Sequence, residues 1–257
     1  MPTVGSAVDV DADLVLPGRT STAEQVADLL RDRIIAGYFQ PGARLSEEEL
    51  GAALRISRNT LREAFRLLCH ERLAVHELHR GVFVRVLSAD DVVDLYRLRK
   101  LVECAALRQA ERAGPEVIAA VSAAVDEGEE AAADGRWQDV GTADLKFHQA
   151  IAAMAASPRV NDLIRGVLAE LRLVFHVMAS PREFHQPYLA RNREIAGFIE
   201  RGDRRAAEKA LQRYLDDAER QLVSAYRQHA PAVGGRPAGG AAVSRADVSG
   251  RRTGVRT

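Results

Sequence analysis

The segment Ser57–Leu73, SRNTLREAFRLLCHERL, constrains this chain more than any other stretch. Leu61, Ala64, Phe65, Leu67 and Leu68 recur at helical spacing and give the segment one apolar face. Ser57 stands at the N-cap, where a hydroxyl can accept from the free N–H groups of the first turn. That turn presents Arg58, Asn59, Thr60 and Arg62, side chains of the kinds that hold phosphates and read base edges. Between Arg55 and Arg72 there are five arginines against two glutamates, Glu63 and Glu71. An amphipathic surface helix could carry the same apolar face, but the flanking segments favour a helix that reads DNA.

Upstream, Thr22–Ala36 predicts a helix with Val26, Leu29, Leu30, Arg33 and Ile34 inward and Gly37 as its stop. Pro41-Gly42 makes a turn, and Arg44-Leu45 predicts a short strand. Ser46-Glu-Glu-Glu49 has the form of a capping box, opening a short helix buried through Leu50, Ala53, Leu54 and Ile56. Arg55-Ile56 leaves a tight turn before Ser57. Two short helices so joined, the second basic at its start, make a helix-turn-helix. Val75–Leu78 and Val82–Val86 then predict two strands joined by His79-Arg80-Gly81. A surface hairpin would look similar, but after a helix-turn-helix a hairpin with a basic tip reads as a wing.

The run PGARLSEEELGAALRISRNTLREAFRLLCHERL, followed by HRGVFVRV, resembles the winged helix-turn-helix of the GntR family of bacterial transcription regulators, over about residues 19–87. The resemblance implies that Arg44, Ser57, Arg58, Asn59, Thr60, Arg62, Arg80 and Gly81 lie at the DNA. Arg44 and Arg62 would mainly hold phosphates, Arg58 and Asn59 would reach bases, and the wing tip would enter the minor groove. Residues 88–229 predict helices only, at about 89–113, 115–133, 137–156, 159–179, 184–201 and 203–229. The expected architecture is therefore mainly α: a winged helix-turn-helix followed by an antiparallel six-helix bundle. This second half is similar to the FadR-type (FCD) effector-binding and dimerisation domain, its helix count nearest the VanR-like subgroup. Residues 1–18 predict a disordered arm and 230–257 a weakly basic disordered tail.

Several polar residues fall on apolar faces of the predicted bundle. Asp144 and His148, spaced i,i+4, share the face of Phe147, Ile151 and Met154. Asn192 lies on the stripe of Tyr188, Ile195 and Ile199, and Tyr214 on that of Leu211, Ala218 and Leu222. Arg99 interrupts the stripe of Val92, Leu95, Val102 and Ala106. Each could be a separately satisfied core residue; together they suggest a polar cavity, because an unpartnered buried polar group costs about 1–3 kcal/mol. The FadR-type resemblance implies a divalent metal held by an Asp, a His four residues on and two later His. Asp144 and His148 match the first pair, but Asn192 and Tyr214 stand where the other two belong. Such a set would not hold a metal tightly. The alternative is that Arg99, Asp144, His148, Asn192 and Tyr214 bind an organic effector directly, with Arg99 suited to a carboxylate. Of the other histidines, His176 is expected on a polar face with Arg165 and Arg172, and His185 in a loop.

Composition narrows the alternatives. The chain has 257 residues, enough for one or two domains, and its 36 basic and 36 acidic side chains balance. Nucleic-acid binding must therefore rest on placement of charge rather than its sum. Cys69 and Cys104 lie in helical patterns, which speaks against a disulfide framework and for the cytoplasm. No apolar run reaches the roughly 20 residues of a membrane span. Asp9, Asp11 and Asp13, without a basic start, do not make a signal peptide. The expected function is a DNA-binding regulator, not an enzyme. It acts as a homodimer on a palindromic operator, in the sense of a repressor released by a small acidic metabolite. An all-α metal-dependent enzyme would leave the winged helix unexplained, and an effector-free nucleic-acid-binding protein would leave the bundle unexplained.

Overall fold

The computed structural model describes residues 21–176 and 180–229, and the two segments expected to be disordered lie outside these. The first helix, α1 (Thr22–Ile35), is opened by Ser21, whose hydroxyl caps the Glu24 N–H while Glu24 caps the Ser21 N–H in return. Its buried face is Val26, Ala27, Leu30 and Ile34. Leu29 and Arg33, expected inward, are exposed, because the face is centred one residue to the other side. Strand β1 is Arg44–Leu45 and helix α2 is Glu47–Leu54. The Ser46 hydroxyl caps the Glu49 N–H, which is one half of the expected capping box. None of α2 is fully buried: Leu50, Leu54 and the following Ile56 are half-buried, and Ala53 is exposed.

Arg55 ends α2 in the left-handed region (φ 53°), and this residue reverses the chain into the next helix. Helix α3 (Arg58–His70) starts on Ser57, whose Oγ accepts from the Thr60 N–H at 3.1 Å. Leu61, Ala64, Phe65 and Leu68 are buried, so the first turn is left facing outward. Strands β2 (Ala74–Glu77) and β3 (Gly81–Val84) form the wing. The sheet order is β1-β3-β2, all antiparallel, with Arg44 opposite Phe83 and Glu77 opposite Gly81.

Six helices follow: α4 (Ala89–Arg108), α5 (Pro115–Ala133), α6 (Trp137–Ala153), α7 (Pro158–His176), α8 (Pro181–Glu200) and α9 (Arg204–His229). A short 3-10 turn at Ala110–Arg112 separates α4 from α5, where one longer helix is expected from the periodicity. Helix α8 begins at Pro181 rather than 184, because Ser180 caps the Glu183 N–H and Pro181 suits the first helical position. Within α8, Pro187 cannot donate to the Glu183 carbonyl; Gln221 of α9 donates to it instead, at 3.5 Å.

One continuous apolar core runs from α1 to α9. The winged part is fastened to the bundle at named points. Ser88 and Asp91 cap each other at the start of α4. Arg85, just past β3, donates to Asp91 at 2.7 Å and to Glu170 of α7 at 2.8 Å. Tyr226 donates to the buried carbonyl of Leu87. Arg172 of α7 donates to the carbonyl of Ile35, the last residue of α1, at 3.3 Å.

Candidate functional site

Two places in the molecule collect the residues with functional chemistry. The first is the outward face of α3 with β1 and the wing. Ser57, Arg58, Asn59 and Arg62 are exposed, and Thr60 is half-buried. Ser57 and Thr60 are used locally, their oxygens 2.8 Å apart in the cap. Arg58 and Asn59 make no hydrogen bond or ion pair among the described residues, so both side chains are free to reach outward. Arg62 is held by Glu47 at 3.0 Å, and Arg80 pairs with Glu77 while lying over the Phe83 ring at 5.3 Å. A phosphate could replace either carboxylate, since exposed ion pairs are worth little. Arg44 crosses from β1 to the wing tip, its Nε 3.4 Å from where a Gly81 Cβ would sit. Gly81 itself has φ 113°, which a side chain there would oppose. The face thus carries four arginines (Arg44, Arg58, Arg62 and Arg80) with the exposed Asn59, residue types whose chemistry suits phosphate oxygens and base edges.

The second place is buried in the bundle. All five residues expected there converge, from four helices. Arg99 on α4 is 1% exposed and His148 on α6 is fully covered. The Asp144 carboxylate of α6 accepts through one oxygen from Asn192 of α8 at 2.9 Å and from the Tyr214 hydroxyl of α9 at 2.7 Å. The His148 Nε2 lies 3.9 Å from that same oxygen. Two further residues join the cluster that the sequence reading did not single out. Glu103, also fully buried, accepts from Arg99 at 2.8 Å and pairs with the His148 Nδ1 at 2.6 Å. It stands one helical turn after Arg99, and that spacing is a signal available in the sequence. His185 is the other: it lies within α8, not in a loop, and is 3% exposed. The predicted helix from about 184 already reached it, and the Ser180-Pro-Arg-Glu183 cap signature moves it from the helix edge into the first turns of α8.

Electrostatics explains how this cluster tolerates burial. Burial alone would push the Asp144 carboxyl up, but His148 and His185, with the bonds from Asn192 and Tyr214, hold it below the usual carboxylate range. Glu103 is likewise held low against burial by Arg99 and His148. Burial pushes the Tyr214 phenol well above its ordinary value, so it remains a neutral donor to Asp144. Burial also lowers the His185 imidazole, against the pull of Asp144. Three polar atoms in the cluster remain unpartnered: Arg99 Nη2, His148 Nε2 and Asn192 Oδ1. The void beside Asp144, His185 and Asn192 is about 10 Å³, the space of a single water. The expected polar cavity is therefore closed down to water size, because Tyr214 and Asn192 reach in to bond Asp144.

A divalent metal does not suit this donor set. One Asp144 oxygen is already committed to two donors, Tyr214 is a neutral phenol, and Asn192 offers only an amide oxygen. Among the described residues His148 is the one imidazole within 4 Å of the Asp144 carboxylate, and at 3.9 Å it is too far to share a metal ion with it as placed, where tight sites want several. Among the described residues no group of three His, Cys, Asp or Glu is placed to hold a metal. The expectation for Arg172 is also corrected. It is 7% exposed rather than on a polar face, because it reaches between α1 and α6; Arg165 is exposed, and the His176 side chain lies outside the described residues.

These two places match known families. The family of bacterial regulatory proteins named gntR matches residues 22–84, and the FCD domain matches residues 94–217. The Nta operon transcriptional regulator of Aminobacter aminovorans is 30% identical over 157 residues, 60% of this chain and 74% of that one. The chain belongs to the GntR family. A GntR transcriptional regulator from Rhodococcus sp. RHA1 has a similar structure, with a TM-score of 0.77 and 49% identity, covering 81% of this chain and all of that one. The D-xylose utilization operon transcriptional repressor of Paenarthrobacter nicotinovorans is 28% identical over 203 residues, 77% of this chain and 87% of that one. This GntR-family protein is a DNA-binding transcription regulator with an all-helical effector domain, not an enzyme, and its FCD half fits the FadR-type branch. No helix among the described residues is long and apolar enough to cross a membrane.

Proposed function

We propose that this regulator is a homodimeric repressor that leaves a palindromic operator when a small acidic metabolite enters the buried cluster. Residues 19–87 read the DNA, and residues 88–229 bind the effector and dimerise. The six helices α4 to α9 suit the VanR-like subgroup. The observation that carries the effector reading is the set of unpartnered buried atoms Arg99 Nη2, His148 Nε2 and Asn192 Oδ1 around Asp144. A ligand carboxylate accepting from Arg99 and His148, with a hydroxyl donated to Asn192, would satisfy all three. No metal takes part in this binding. Because the cluster is closed to water size, binding must open it, and Arg99 lies on α4, which starts at Ala89, five residues after β3 ends at Val84. The short link Arg85–Ser88, tied by Tyr226 at Leu87 and by the Ser88 cap, passes any movement of α4 to the winged part. Arg58 and Asn59 read bases, Arg44 and Arg62 clamp phosphates, and Arg80 with Gly81 enters the minor groove. The protein works in the cytoplasm, where its operator lies.

The experiment is a thermal-shift screen of small carboxylic acids, followed by operator titration with any acid that stabilises the protein. His148→Gln and Asn192→Ala are expected to keep operator affinity and lose the response to that acid. A normal response in both variants removes the cluster from effector binding. Tighter operator binding with saturating acid overturns release while leaving coupling between the sites intact.

A further inference from the structure

A second, larger recess lies outside the buried cluster, between α5, α6 and α7 and against the end of α1. It encloses about 670 Å³, within the range of small-molecule sites. Its walls are mainly small and apolar, formed by Ala120, Ala123, Leu145, Ala150, Ala153 and Leu168. Three cations border it, and they differ in one respect. Lys146 is held by both oxygens of Glu127, at 2.6 and 2.8 Å, and Arg165 by Asp162 at 3.2 Å. Arg172 has no carboxylate partner among the described residues although it is 7% exposed. Its Nε and Nη2 instead donate to the backbone carbonyls of Ile35 and Gln138, each at a long 3.3 Å. A buried guanidinium normally has an anion, because backbone carbonyls only partly replace its hydration.

Gly141 explains how the guanidinium fits. A Cβ at that position would lie 2.9 Å from Arg172 Nη1 and 2.7 Å from His185 Nε2. The missing side chain leaves space for the two cationic or polar tips to lie side by side. At the other end of the recess, the Oδ1 of Asn161 is buried without a partner. Asn161 and Arg172 lie on the same helix, eleven residues and so about 16 Å apart. The recess is therefore a long apolar trough with an unmatched cation at one end.

We propose that this trough is a second ligand site, for a monocarboxylate carried on an apolar body, with the carboxylate on Arg172. Arg172 is also what holds the Ile35 carbonyl, the last of α1 in the winged part. A carboxylate forms charge-assisted, bidentate bonds to a guanidinium, stronger than those to a peptide carbonyl. The bound acid takes Arg172 from Ile35 and loosens one of the fastenings between α7 and the winged part. The trough adjoins the cluster around Asp144, sharing Ala124 and setting Arg172 beside His185, but its ligand, its anchoring residue and its test are distinct from those of the function proposed above.

The test uses the full chain and three probes in calorimetry: 4-phenylbutyrate, acetate and 4-phenylbutanamide. The acid on an apolar body is expected to bind at least tenfold tighter than acetate, which lacks the body, and than the amide, which lacks the charge. Arg172→Gln is expected to lose at least tenfold in affinity for 4-phenylbutyrate and Arg172→Lys to lose less. Ala153→Trp, which fills a half-buried part of the trough, is expected to abolish binding. His148→Gln, in the other cluster, is expected to leave it within twofold. If Arg172→Gln does not fold, Arg172→Lys and Ala153→Trp carry the test. Equal binding of acid and amide, no binding at millimolar concentration, or loss in His148→Gln with retention in Ala153→Trp would each overturn the site. So would a change of sedimentation in Ala153→Trp without any probe binding, since the trough would then be covered by a second copy.

Discussion

At the scale of single residues, the two sites ask opposite things of their arginines. Arg58 is exposed and unpaired, so its value appears only on DNA. Arg58→Ala is expected to cost about 1–3 kcal/mol on the specific operator and little on a random duplex, read by fluorescence anisotropy on both. Arg62→Ala should weaken both alike and reduce the salt slope by about one. Arg99 is buried against Glu103, which also holds His148. Arg99→Met would leave the buried Glu103 carboxylate with His148 as its remaining partner and is expected to cost about 3 kcal/mol in urea unfolding. Glu103 adds a pH dependence. Its folded pKa is depressed, so its contribution is full above the unfolded value of about 4.3 and is lost as pH falls through the folded value. Stability should therefore drop more steeply on acidification below about pH 4.3 in the wild type than in Glu103→Gln.

At the scale of elements, α7 ties the bundle to the winged part. It borders the trough, bonds the end of α1 through Arg172 and bonds Arg85 through Glu170. Its fit against α6 depends on Gly141, where a methyl group would meet both Arg172 and His185. Gly141→Ala gains roughly 1 kcal/mol of helix propensity but incurs overpacking of about 1–3 kcal/mol. The expected result is a lower urea midpoint with an unchanged m-value; a higher midpoint would mean that Arg172 and His185 move aside freely. Helix α8 makes a related point about local signals. The periodicity of its apolar stripe set the predicted start three residues late, and only the cap at Ser180 carried the true boundary.

At the scale of the whole molecule, the winged part and the bundle share one continuous core and several polar fastenings. A regulator of this build should act as a two-fold pair, because two-fold related half-sites mirror a two-fold protein. Sedimentation of the full chain is expected to give a dimer at micromolar concentration, and footprinting to give two protected half-sites about one or a small number of helical turns apart. A monomer that still protects two half-sites would contradict this arrangement.

Most of the fold was legible in the chain itself. Helix caps, the Pro41-Gly42 turn and 3.6-residue stripes are local, and local signals survive without knowledge of neighbours. The same holds for the exposed turn Arg58-Asn59, whose chemistry faces solvent and needs no partner to be recognised. The five cluster residues were also visible, because a polar side chain on an apolar stripe is conspicuous in one helix alone. Their pairing was not: which donor meets Asp144, and that Glu103 rather than Asp144 takes the His148 Nδ1, depends on how α4, α6, α8 and α9 cross. The burial of Arg172 and the trough beside it belong to the tertiary structure entirely. An arginine on a helix reads as exposed until α1, α6 and α7 close around it, and a recess between three helices has no trace in the period of any one of them.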